Sequence, residues 1–117
     1  MDDAVPRVVG DVPGLLTILR RDQANVPVVA VNGEVDLLGY EVLRAALGQA
    51  IDDSTSVIVD LSGTQFMDST GLHVLINATL RAAEAGGYLR IRGANARLQK
   101  LFEISGSRLI LEVDPES

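Results

Sequence analysis

A chain of 117 residues, 47% hydrophobic and 22% charged, has the size and composition of one globular domain, able to bury roughly two-thirds of its unfolded surface. The absence of cysteine excludes disulfides, thiolate catalysis and cysteine metal sites. A net charge of −6, with two tyrosines and two phenylalanines as the aromatics, disfavours phosphate backbones, anionic membranes and base stacking, and suits a basic face on a protein partner.

In chain order, residues 1–13 hold two prolines and no periodicity and are expected to form a flexible arm, leaving 14–117 as the domain. They carry neither a basic leader nor an apolar run, and no apolar stretch approaches the ~20 residues that span a bilayer. A cytoplasmic location is expected. "LLTILRR" (15–21) and "VPVVAVNGEVD" (26–36) read as strands, and the short "DQAN" between them implies an antiparallel hairpin. From about Gly39 to Asp52, Leu43, Leu47, Ala50 and Ile51 fall on one helical stripe. "SVIVDLS" (56–62) is an unbroken apolar run, the pattern of a strand inside a sheet and covered on both faces.

Next, Leu72, Leu75, Ile76, Thr79, Leu80 and Ala83 recur at helical spacing, and Gly86-Gly87 ends the segment. "YLRIRG" alternates like a strand. "NARLQKLFEISG" predicts a helix capped by Asn95, stopped at Gly106, with Leu98, Leu101 and Phe102 inward. "RLILEV" (108–113) supplies a last strand before a short acidic tail. The order β-β-α-β-α-β-α-β implies an α/β fold, a mixed sheet with helices packed against it. No internal repeat is present.

The chemistry is narrowed by elimination. The single histidine, His73, stands four residues after Ser69, with Asp68 adjacent. A serine hydrolase would need its nucleophile on a sharp elbow such as G-x-S-x-G, and an aspartate reaching the far side of the imidazole. "MDSTG" offers neither, so no enzyme is expected and His73 reads as a rim residue. Asp60 and Asp68 lack the further ligands a metal needs. The glycines form neither a P-loop nor a dinucleotide fingerprint. No metal and no cofactor are therefore expected.

What is left is "DSTG" (68–71), where a strand passes into a helix. Asp, Ser and Thr are all favoured helix caps. A helix start also carries partial positive charge and free N–H donors, so it tolerates a phosphate. The same phosphate would add roughly −1.5 to −2 of charge to the surface presented there. Spacing does not separate a cap from a modification site.

Three blocks taken together, "VNGEVD" (31–36), "VIVDLSGTQFMDSTGLHVL" (57–75) and "GGYLRIRGANARLQKLFEISG" (86–106), resemble the STAS-domain anti-sigma factor antagonists (anti-anti-sigma factors). The resemblance runs from about Leu15 to Val113, and the "DLSGTQFMDSTG" block is its most specific part. It implies that Ser69 is phosphorylated by an ATP-binding anti-sigma factor serine kinase, with Thr70 a secondary candidate. It further implies a partner-binding face of Asp36, Asp68, Ser69, Thr70, Gly71 and His73, and a phosphatase that restores Ser69. The implied mechanism is partner switching: the unphosphorylated form binds the anti-sigma factor and frees a sigma factor. His73, and "LLGY" after Asp36, depart from the family pattern and bear on partner identity. Two alternatives are an accessory subunit of a lipid or anion transport system and a small-ligand sensor for a nucleotide or anion.

Overall fold

Described over residues 3–115 by a computed structural model, the chain builds a mixed sheet with three helices upon it. Its N-terminus departs from expectation. In place of a flexible arm, Asp3–Val12 is a strand, β1, paired antiparallel with β2, Leu16–Gln23; residues 1 and 2 lie outside the described residues. Pro6 is tolerated because β1 is an edge strand. Register shifts after Asp3 and Val8 blur the alternation that would have marked it.

A tight turn, with Ala24 and Asn25 at φ 51° and 66°, carries β2 into β3, Val26–Val35. The two strands form the expected hairpin. Helix α1, Tyr40–Ser54, buries the expected stripe with Ala46 added. Strand β4, Val57–Asp60, lies parallel between β3 and β6, Leu89–Arg92. It is inside the sheet, as its apolar run implied, but it is not covered on both faces. Val57 and Val59 are buried, whereas Ile58 and Asp60 are half-buried. One core cluster joins the helices to a single face of the sheet, so the opposite face stays partly open.

Strand β5, Thr64–Met67, has no counterpart in the sequence reading. It exists because β3 changes partners along its length. Val28–Ala30 pair with β4, and Gly33–Val35 pair with β5. The change falls at Gly33, whose φ is 121° and where a Cβ would stand 2.0 Å from the Leu15 carbonyl oxygen. Only glycine allows that bend.

Helix α2, Ser69–Glu84, buries Gly71, Leu72, Val74, Leu75 and Ala82. The expected stripe through Leu80 and Ala83 is corrected, for both are exposed. The helix packs on α1 as well as on the sheet, which rotates its inward row toward Val74 and Ala82. Helix α3, Ala96–Ile104, starts as expected at Asn95, whose Oδ1 accepts the Leu98 N–H at 2.9 Å. The last strand shrinks to β7, Glu112–Val113, behind a 3₁₀ turn at Ser107–Leu109. Leu109 and Ile110 are exposed, so apolar content alone misled there.

Candidate functional site

The ends of β3 and β5 meet where the Asp68 N–H donates to the Val35 carbonyl at 3.1 Å. That bond sets Asp36, the residue after β3, beside Asp68, the residue after β5. Each aspartate then organises the start of a helix. The Asp36 carboxylate accepts the Leu38 N–H at 2.9 Å. Its carbonyl accepts the Gly39 and Tyr40 N–H groups, both at 3.0 Å, which closes the turn into α1.

Asp68 is the N-cap of α2. Its Oδ1 accepts the Thr70 N–H at 2.9 Å and the Gly71 N–H at 3.4 Å. The Thr70 hydroxyl donates to the same oxygen. These bonds lower the Asp68 carboxyl from its ordinary value: the Thr70 hydroxyl contributes most, burial opposes it, and the backbone amides at the helix start add to the lowering.

Of the three favoured capping residues in this stretch, Asp68 and not Ser69 or Thr70 takes the cap position. Ser69 is the first helical residue, exposed, and its hydroxyl makes no hydrogen bond to any described residue. Thr70 is half-buried with its hydroxyl engaged. Of the two hydroxyls, Ser69 is the one that faces solvent. The expected cost of substitution follows the hydrogen bonds. Asp68→Ala should lose about 1 kcal/mol, within the usual range for a removed cap, whereas Ser69→Ala should change stability by less than about 0.5 kcal/mol, as exposed positions do. Urea unfolding of the two variants against the parent measures both.

Gly71, expected on the docking face, is buried instead. A Cβ there would stand 2.7 Å from both Met67 Cγ and Val35 Cγ1. Its role is to let the helix start lie flat on the strand ends. His73 is exposed one turn further on. With Thr70 it borders a groove of about 370 Å³ between α1 and α2, whose other walls include Tyr40, Arg44 and Arg81. Arg44 pairs with Glu41 at 2.7 Å, and Arg81 pairs with Asp52. The structure thus gathers Asp36, Asp68, Ser69, Thr70 and His73 at one end of the sheet. The sequence signalled neither the groove nor the role of Asp68 as the cap; an aspartate directly before a helical Ser-Thr was the available sign.

Asp60 is occupied elsewhere, accepting from the Ser62 hydroxyl at 2.6 Å and the Ser62 N–H at 2.9 Å. Among the described residues, no group of three or more His, Asp or Glu is placed to hold a metal ion. No helix there is long and apolar enough to cross a membrane.

Comparison with known proteins follows the same outline. The family model described as "Mlab, STAS domain" matches residues 18–111. The anti-sigma-B factor antagonist of Bacillus subtilis is 30% identical over 89 residues, covering 76% of this chain and 82% of that protein. A crystal structure of an anti-sigma factor antagonist from Mycobacterium paratuberculosis superposes with a TM-score of 0.79 at 24% identity, covering 91% of each chain. The anti-sigma factor antagonist SpoIIAA superposes in its unphosphorylated form with a TM-score of 0.68 at 21% identity, covering 86% of this chain and 89% of that one. Its phosphorylated form superposes with a TM-score of 0.64, covering 86% and 92%.

Proposed function

The chain belongs to the STAS-domain family of anti-sigma factor antagonists, and from that premise we propose that it works by partner switching through Ser69. Unphosphorylated, it binds an anti-sigma factor that is itself an ATP-dependent kinase, and the sigma factor held by that kinase is released. Transfer of the ATP γ-phosphoryl group to the Ser69 Oγ, with ADP leaving and the hydroxyl proton lost, ends the binding. A phosphatase hydrolyses the ester and restores it. The protein acts as substrate and switch in the cytoplasm and catalyses nothing itself.

The observation that carries this reading is the contrast between two adjacent hydroxyls. Thr70 donates to Asp68 and holds the helix start together. Ser69 is exposed and its hydroxyl makes no hydrogen bond to any described residue, so a phosphate added there costs the fold no bond already in place. The positive end of α2 lies beneath it, which accommodates negative charge locally. In a closely fitted interface the phosphate adds bulk and a dianion that must shed its water without a partner placed to receive it, and that cost opposes binding. Asp36 and Asp68 lend the face an acidic character that suits a basic patch on the kinase, on a chain of net charge −6.

Mass-spectrometric mapping after incubation with the cell's anti-sigma factor kinases and ATP tests the assignment. Phosphate on Ser69, absent from a Ser69→Ala variant, is the expected result. Phosphate on Thr70 alone would move the switch by one residue. Co-purification with membrane-transport components, and with no kinase, would favour the accessory-subunit reading.

A further inference from the structure

Leu37 and Leu38 are 69% and 67% exposed, and their loop is not free to turn them inward. Asp36 closes the turn through three bonds, accepting from the Leu38, Gly39 and Tyr40 N–H groups. Val35 before them and Gly39 after them are both buried. A Cβ on Gly39 would stand 2.8 Å from Leu16 Cδ2, so the loop is seated on the core at each end. Two neighbouring leucines are thereby held in water by a rigid turn. Single exposed apolar residues are ordinary, but an adjacent, immobilised pair at a loop tip suits an interaction surface.

The position of the pair points to its occupant. It borders the Asp36–Asp68 junction and hence the Ser69 helix start. An anionic lipid surface is disfavoured by those carboxylates and by the net charge of −6. A second copy would bring like charges together. An apolar pocket with a basic rim, on the anti-sigma factor, satisfies both the leucines and the carboxylates.

We propose that Leu37 and Leu38 are the apolar anchor that seats this protein in a pocket of its anti-sigma factor and selects among such factors. The proposal rests on the docking reading above. The carboxylates steer the encounter, the leucines supply most of the affinity, and Ser69 switches it. Buried apolar anchors commonly dominate an interface while the charged rim contributes mainly to association rate.

The test uses the full-length protein and each anti-sigma factor of the same cell, purified and titrated calorimetrically without ATP. The Leu37→Ser/Leu38→Ser variant should bind about a hundredfold more weakly, since each buried leucine is worth roughly tenfold or more. Its Tm should stay within about 2 °C of the parent, because the side chains are exposed. Leu37→Met/Leu38→Met should retain binding within about threefold, as apolar volume is kept. Parent-like affinity of the serine variant, with Ser69→Asp still weakened, would overturn the anchor and leave the switch standing. A serine variant that loses affinity only together with a large fall in Tm would make the leucines structural and also overturn it. Failure of the parent to bind any of the factors would remove the docking reading and the anchor with it.

Discussion

Gly71→Val should lower Tm by about 8–12 °C and stability by about 2–3 kcal/mol, the usual scale for overpacking a close contact in a domain of this size. Two effects oppose each other. Glycine is the weaker helix former, by up to about 1 kcal/mol against an ordinary residue, so substitution gains something locally. Against this, a Cβ would stand 2.7 Å from Val35 Cγ1 and Met67 Cγ, and 3.2 Å from Val35 Cβ. Met67 could swing part of the way aside. Val35 could not, since it is β-branched, wholly buried and fixed in β3. The clash wins. Relief would lift the start of α2 off the strand ends and disturb the Asp68 bonds to Thr70 and Gly71. Thermal unfolding measures the first effect, and loss of amide protection at Thr70 and Gly71 in hydrogen exchange measures the second. An unshifted Tm would show that the helix start is not seated as described.

Ser69→Asp should weaken anti-sigma factor binding by about a hundredfold, because burying a carboxylate that the interface has no partner to pair with costs a few kcal/mol. Phosphoserine should weaken it further, with roughly twice the charge and greater bulk. Ser69→Ala should bind as the unmodified parent does and no longer respond to ATP. Since Asp68 and not Ser69 caps the helix, neither variant should shift Tm appreciably, and the affinity change is then an interface effect. Calorimetry of the three proteins against one kinase, with Tm measured alongside, separates affinity from stability. Equal affinity for all three would place Ser69 outside the interface.

Helix α1 and the start of helix α3 were legible in the sequence because periodicity, capping and burial agree there, whereas the stripe read for α2 ran through the exposed Leu80 and Ala83. The stripe of Leu43, Leu47, Ala50 and Ile51 is buried in α1, and Asn95 caps α3 as its place before the apolar pattern implied. The errors have physical causes. β1 contains Pro6 and Gly10 and is irregular in register, so composition spoke for a loop while edge pairing made a strand. β5 depends on the bend at Gly33, which is a property of a partner strand far away in sequence. The run 108–113 reads as a strand, but only Glu112–Val113 find a neighbour, β6.

The candidate site divides along the same line. Asp68, Ser69 and Thr70 stand together in the sequence, and their assembly with Asp36 follows from the strand carrying each. What spacing could not show was the allotment of roles among them. Which oxygen caps the helix and which hydroxyl is left over are decided by backbone geometry at one residue, and three good capping residues in a row conceal the answer. The resemblance to a family singled out Ser69 where spacing left the choice open. Leu37 and Leu38 lie outside any periodic stripe, and nothing short of the turn around Asp36 marks them as held in solvent.

The most direct measurement follows the sigma factor itself. A preformed complex of sigma factor and anti-sigma factor kinase is titrated with this protein, once unmodified and once fully phosphorylated on Ser69, and free sigma factor is separated by size-exclusion chromatography. The unmodified protein should displace the sigma factor stoichiometrically, the phosphorylated protein should displace almost none, and phosphatase treatment should restore displacement. Equal displacement by the two forms, or none by either, would contradict a switch at Ser69.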